Sequence, residues 1–154
     1  MKASILIILM LLGVGTINAQ KIKVKKDIVY VDDVAYFKAN NDFGNETIST
    51  LDGKIMLTLK QYSFDKPNPA RNNTNDPNRF KYPATIKSYY YVVSFLDFDL
   101  EYETDLHRKK LFLAFYKYEL IDKSNIVSEE KARKTAQIIS KKISGDRPTI
   151  IIQN

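Results

Sequence analysis

One short segment carries the side chains best arranged for catalysis. Every second residue in it is acidic: Asp97, Asp99, Glu101 and Glu103. On an extended strand these carboxylates would project from one face at steps of about 6.5–7 Å. Carboxyl pairs roughly 5–9 Å apart serve as acid and base in glycoside hydrolysis. The row therefore supports a small glycan hydrolase, using a pair within residues 97–103, as an alternative function. A strand edge that faces water has the same pattern.

Other catalytic chemistry has little support in this chain. It contains no cysteine and a single histidine, His107, which lies in a polar, basic stretch. No serine is flanked by the glycines of a nucleophile elbow, and no glycine-rich loop precedes a lysine. One histidine without cysteine does not supply the usual zinc ligands. We therefore expect no enzyme activity, no cofactor and no metal site, and we interpret His107 as a solvated residue.

Basic and aromatic residues are in surplus and suggest a binding surface. Lys and Arg number 24 against 18 Asp and Glu, and the 18 aromatic residues are 10 Tyr and 8 Phe. Lys109 and Lys110 belong to one basic cluster, and Tyr91 ends a run of three tyrosines that places a ring on each face of a strand. Exposed tyrosines stack on sugars or fill protein interfaces. These three residues are the candidate surface binding residues, with a solvated surface as the alternative.

The first 19 residues predict export. Lys2 precedes an apolar run at residues 5–12 that Gly13, Val14 and Gly15 extend, and a short polar segment follows and ends at Ala19. This is the layout of a secretory signal peptide. Its apolar part is about eleven residues long, whereas a membrane span needs about 20. We expect cleavage between Ala19 and Gln20, with an uncleaved anchor as the alternative, and no transmembrane span afterwards.

Residues 20–154 have the length of a single globular domain. Without cysteine, an exported domain of this kind is stabilised by core packing and not by disulfides. Exported proteins rarely meet nucleic acid. The expected partner is therefore an unknown protein or an envelope glycan, and the oligomeric state is left open.

The N-terminal half predicts β-hairpins. Residues 21–25 alternate with period two, as in a half-exposed strand. Two hairpins are expected after this strand, one around Asp32 and Asp33 and one around Asp52 and Gly53, the latter as a type I′ turn. Residues 40–46 are interpreted as the connection between these two hairpins.

Two features follow in the middle of the chain. Residues 65–83 contain four of the five prolines and five asparagines, so they predict a long surface loop, which is either a binding loop or a flexible insertion. Residues 88–103 give the strongest β pattern, although a strand of that length is expected to bend or break.

The C-terminal part predicts helices. Residues 105–119 fit a helix or a strand, and Thr104 and Asp105 as N-terminal caps favour the helix. Ser128 caps a second helix that is expected to include Lys141 and Lys142 in its last turn. Residues 149–152 are expected to form a short strand or a docked tail. Hairpins first and helices last indicate an α+β domain, with two C-terminal helices packed on one face of an antiparallel sheet.

The stretches at residues 21–32 and 49–54 resemble the opening of small exported bacterial proteins that carry no assigned activity. The resemblance implies a periplasmic or extracellular location in a Gram-negative bacterium, and it brings no catalytic residue. We therefore interpret the chain as an exported, non-enzymatic binding or interaction protein of the cell envelope.

Overall fold

A computed structural model describes residues 20–121 and 126–146. It contains a seven-stranded antiparallel sheet in which each strand pairs with the next along the chain. The strands are β1 (Ile22–Lys25), β2 (Ile28–Val31), β3 (Val34–Asp42), β4 (Asn45–Ser49), β5 (Ile55–Pro67), β6 (Thr85–Phe95) and β7 (Glu101–Thr104). The α-helices of the described part are α1 (Pro69–Asn72), α2 (Arg108–Lys117) and α3 (Glu129–Ile139), and short 3-10 helices lie at Arg79–Lys81 and Ser144–Asp146. The fold is therefore of the mixed α+β class, whereas the expected signal peptide and the expected strand or tail at 149–152 lie outside the described residues.

Two-residue turns with positive φ connect the first four strands. The expected hairpin at Asp32 (φ 50°) and Asp33 (φ 66°) is confirmed. The interpretation of residues 40–46 as a connection between hairpins was wrong. β3 and β4 pair directly across this stretch, around a turn formed by Phe43 (φ 45°) and Gly44 (φ 89°). Both φ values are positive, as a type I′ turn requires. Phenylalanine is rare at such a position, which explains why the sequence pattern did not indicate a turn.

The hairpin between β4 and β5 forms around Gly53, but its turn is not of type I′. Gly53 has φ 102°, whereas Asp52 is not among the residues with positive φ. The hydroxyl of Thr50 accepts a hydrogen bond from the Lys54 amide at 3.0 Å and donates to Asp52. These contacts close a wider turn, so a single residue with positive φ is sufficient.

A bulge in β3 places an additional side chain against the core. Phe37 is paired with Val29 and Ala35 with Tyr30, so Tyr36 is the extra residue in β3. The Tyr36 ring packs edge-on against Tyr116 of α2, with ring centroids 5.2 Å apart. Its hydroxyl donates to the carbonyl of Ile121 at 2.8 Å. The bulge thus joins the sheet to the end of α2.

The core combines residues from the sheet and from both long helices. Its buried members include Val29, Phe37, Ile48, Leu57, Leu59, Val93, Phe95, Tyr102, Leu111, Phe112, Phe115, Ala132 and Ala136. Phe37 of β3 meets Phe112 of α2 edge-on at 5.2 Å. Aromatic pairs of this geometry add about 0.5–1.5 kcal/mol beyond the area that they bury.

The two long helices differ from expectation at their ends. The helix within residues 105–119 is confirmed, but it begins at Arg108 after His107, because Thr104 instead uses its hydroxyl to accept from the Leu106 amide. Ser128 caps α3 as expected, by accepting from the Lys131 amide. However, α3 ends at Ile139, because the Lys141 amide donates to the Glu103 carbonyl of β7 at 2.8 Å. This pairing with the sheet edge replaces the predicted last helical turn.

The strand expected over residues 88–103 is interrupted, in agreement with its length. β6 ends at Phe95, residues 96–100 form a turn, and β7 begins at Glu101. The Phe95 and Phe98 rings stack at 4.9 Å across this turn.

The side chain of Tyr102 is buried in the hydrophobic core. Within the described part of the chain its hydroxyl has no hydrogen-bond partner, and burial raises its pKa. Tyr102→Phe removes this unpaired group, so the free energy of unfolding should stay unchanged or rise by about 1 kcal/mol in chemical denaturation. Tyr36→Phe is the control. It removes a bonded hydroxyl and should lower the value by about 1 kcal/mol. If Tyr102→Phe lowered the free energy of unfolding as much as Tyr36→Phe, the Tyr102 hydroxyl could not be an unpaired group.

Candidate functional site

Strands β5 and β6 extend beyond the rest of the sheet as a two-stranded ribbon. β4 stops pairing with β5 at Lys60, and β7 stops pairing with β6 at Tyr91. Past these points, residues 62–67 and 85–90 form strand pairs only with each other among the described residues. We call residues 62–90 the arm and residues 68–84, which connect its strands, the arm tip. Six residues per strand make the ribbon about 20 Å long.

Stacked aromatic rings stabilise the ribbon of the arm. Tyr62 and Tyr90 lie directly opposite each other, with centroids 5.3 Å apart and planes at 17°. Phe64 packs against the same Tyr90 ring at 6.0 Å, and the Lys60 ammonium lies 5.3 Å from the Tyr62 centroid. Because a two-stranded ribbon is marginally stable in water, these cross-strand pairs are important for keeping the arm folded.

The arm tip is held by its own hydrogen bonds. Asn68 is buried, donates to the Pro83 carbonyl at 3.0 Å and accepts from the Ala70 amide at 3.0 Å. One nitrogen of Arg71, Nη1, donates to the carbonyls of Phe80 (2.8 Å) and Tyr82 (3.0 Å). These bonds tie α1 to the returning chain, so the tip has a defined conformation.

The tip is shorter than the loop expected at residues 65–83. Strand β5 continues through Asp65 and Lys66 to Pro67, which is paired with Thr85. Proline is tolerated at position 67 because β5 pairs there only with β6 among the described residues. The N–H group that proline lacks therefore interrupts no hydrogen-bond ladder to a second strand.

Phe80 is the most prominent side chain of the arm tip. It is 68% exposed, although a large apolar side chain normally gains from burial. The guanidinium carbons of Arg79 and Arg71 lie 4.7 and 5.4 Å from its ring centroid. The tip therefore presents one apolar ring between two cations.

A buried ion pair lies at the base of the arm. Glu46 of β4 is only 2% exposed, and Arg108, the first residue of α2, donates from Nε to both of its oxygens at 2.8 and 2.9 Å. A second contact from Arg108 Nη2 completes the pair. The hydrogen bond to Glu46 raises the pKa of Arg108 against the opposing effect of burial. The pair fixes the start of α2 over β4.

The structure places Tyr91 at this base but separates it from the two candidate lysines. The half-buried Tyr91 hydroxyl accepts from Gln61 Nε2 at 3.3 Å. Burial and the Glu46 carboxylate raise the pKa of Tyr91, and Arg108 opposes this. Lys109 and Lys110 are exposed on α2, and no hydrogen bond or ring contact joins either of these described lysines to Tyr91. The charged neighbours of Tyr91 are therefore Glu46 and Arg108, and not the expected Lys109 and Lys110.

The four carboxylates do not form a continuous row. Asp97 and Asp99 lie in the turn at 96–100, and Asp97 pairs with Lys54 at 3.2 Å. Glu101 accepts from the Ser94 hydroxyl at 2.5 Å. Glu103 accepts from the amides of Ile143 and Ser144 at 2.6 and 2.8 Å. Burial opposes ionisation of Glu103, but these hydrogen bonds outweigh it and lower its pKa.

The remaining chemistry is limited. His107 precedes α2, is exposed, and makes no capping hydrogen bond through its side chain. Over residues 20–121 and 126–146, no group of three or more His, Asp or Glu side chains is placed to hold a metal ion. In the same part of the chain, every helix is too short or too polar to cross a membrane.

No protein-family model, curated protein or solved structure matches this chain.

Removing Arg108 is expected to destabilise the fold strongly. Arg108→Ala leaves the buried Glu46 charge without a partner, and such losses cost about 3–5 kcal/mol in the free energy of unfolding. Chemical denaturation measures this value. Glu46→Gln in the Arg108→Ala background should recover part of the loss. Arg133→Ala, which breaks an exposed pair with Glu129, is the control and should cost less than about 1 kcal/mol. If Arg108→Ala and Arg133→Ala lowered the free energy of unfolding equally, the role of the buried pair would be contradicted.

Acidification is expected to release the segment after α3 from β7. Because the pKa of Glu103 is lowered, its ionised form contributes stability above the ordinary value of 4.5, and the contribution is lost as pH falls through the lower folded pKa. Hydrogen-exchange protection at the Ile143 and Ser144 amides should fall in that range. Glu103→Gln should show weak protection already at neutral pH and no acid step. Full protection of the wild type in acid would contradict this.

Proposed function

We propose that this chain is an exported, non-enzymatic interaction protein of the cell envelope, and that it binds a partner protein through the arm tip. Export rests on the signal peptide expected at residues 1–19, and the proposed location is the periplasm or cell surface of a Gram-negative bacterium. The arm tip is the binding element, and the sheet with its helices is the support that holds it.

The observation that carries this proposal is Phe80, exposed between Arg71 and Arg79 on a hydrogen-bonded loop. Aromatic residues and arginine are enriched in protein interfaces, and aromatic and arginine anchors supply much of their binding energy. A loop that is already ordered loses less conformational entropy when it binds. The tip therefore combines suitable chemistry with a low ordering cost.

The arrangement of the helices supports an accessible arm. As part of the proposal, α2 and α3 cover one face of the sheet, since Phe112 and Ala132 share one hydrophobic cluster with Phe37 of β3. The sheet residues of that cluster lie outside the arm tip, and no residue of the tip belongs to it.

The alternative glycan hydrolase has no specific geometric support. An acid–base pair needs two carboxyl groups that face a common substrate. The Glu103 carboxylate accepts two backbone amides, and Asp97 and Asp99 lie in a turn. The positions of these carboxylates therefore favour the interaction protein over the hydrolase.

The test is partner capture from the native envelope. The full chain with a C-terminal affinity tag is produced in the native bacterium and cross-linked there, and the co-purified proteins are quantified. Phe80→Ala should weaken recovery of a specific partner about 30-fold, which corresponds to an interface hot spot of about 2 kcal/mol.

The matched control is Phe43→Ala. Phe43 is fully exposed on the turn between β3 and β4, so the same truncation is made outside the arm. Recovery should be unchanged in this variant. A partner that both variants recover at the wild-type level would contradict the proposal.

A further inference from the structure

The arm is rich in basic side chains, and the turns at the opposite end of the sheet are rich in aspartate. Because the sheet is a meander, alternate turns lie at opposite ends. We call the turns at 32–33, 50–54 and 96–100, which lie at the end away from the arm, the acidic end. Its acidic residues are Asp32, Asp33, Asp52, Asp97 and Asp99, of which Asp33 pairs with Lys23 and Asp97 with Lys54. The arm carries the cations Lys66, Arg71, Arg79, Lys81 and Lys87 against Asp65 and Asp76.

The acidic end also exposes a pair of apolar side chains. Ile55 and Leu96 are both exposed. Leu96 follows β6 directly, and its amide donates to the carbonyl of Met56, the residue after Ile55, at 3.2 Å. Asp97 follows Leu96 directly, and Asp52 lies in the turn just before Ile55. An apolar pair next to aspartates is complementary in chemistry to a phenylalanine between arginines.

We propose that the arm tip of one copy binds the acidic end of a second copy. Phe80 packs on Ile55 and Leu96, and Arg71 and Arg79 approach Asp52 and Asp97. The proposal rests on the proposed function, because it uses the arm tip as the binding element, and it identifies the partner as another copy of this chain.

Three structural facts make such a contact feasible and intermolecular. First, the Asp97 pair with Lys54 is exposed and is therefore weak and easily exchanged. Second, the 13 residues of β5 separate Ile55 from the arm tip by about 40 Å, so the tip does not reach the acidic end of its own chain. Third, the two surfaces differ, so the contact is head-to-tail and produces a ring or an open chain.

The first test is the mass of residues 20–154 in solution, measured by sedimentation over a range of concentrations. Association should be present at low salt and at least about tenfold weaker near 1 M salt, where the screening length falls to about 3 Å. A chain that stays monomeric at low salt up to millimolar concentration would overturn the inference.

The second test uses complementary variants. The arm variant carries Arg79→Glu and Phe80→Ala, and the acidic-end variant carries Leu96→Ala and Asp97→Lys. Each should be monomeric alone, because each has lost one of the two surfaces. Their mixture should form a 1:1 heterodimer and no larger species, since one intact arm tip and one intact acidic end remain. Lys134→Glu, at an exposed position of α3, is the control and should associate like the wild type.

The outcomes separate this inference from the proposed function. Circular dichroism and denaturation first establish that each variant is folded. A mixture that stays monomeric while the wild type associates overturns the head-to-tail contact. Capture of a different protein through Phe80, without self-association, overturns the inference and leaves the proposed function in place. If Phe80→Ala changes neither capture nor self-association, both fail.

Discussion

Strands β5 and β6 pair without a break from Leu57 opposite Phe95 to Pro67 opposite Thr85, and the other features of the molecule depend on this pairing. Its first part lies inside the sheet, where Leu57 and Phe95 belong to the core. Its second part has no neighbouring strand among the described residues and forms the arm. The same register therefore connects a packed core to a projecting tip, and the position of Phe80 is set by strands that continue from the sheet.

The base of the arm is defined by a buried ion pair. Arg108 and Glu46 connect α2 to β4, and Tyr91 and Gln61 join β6 to β5 beside them. Buried pairs of this kind do not by themselves increase stability over an apolar contact, but an unpaired member is strongly destabilising. The pair thus fixes where α2 begins, and the strands of the arm leave the sheet next to that point.

Local patterns predicted the α+β class, the turn at Asp32 and Asp33, the helix within residues 105–119 and the Ser128 cap. These features depend on nearby residues, which short-range propensities describe. The features that the sequence did not predict depend on distant partners. Glu46 is buried in an ion pair with Arg108, which lies 62 positions later in the chain. Helix α3 ends early because the Lys141 amide pairs with the Glu103 carbonyl of β7. The order of the arm tip likewise comes from bonds between Arg71 and carbonyls nine and eleven residues later.

The most direct test of the central claim, that the arm tip is the binding element, is site-specific photo-crosslinking in the native envelope. A photoreactive residue replaces Phe80 in one variant and Ile138, which is exposed on α3, in another. The account predicts a discrete adduct, with another protein or with a second copy, from position 80 and none from position 138. Adducts from position 138 with none from position 80 would contradict it.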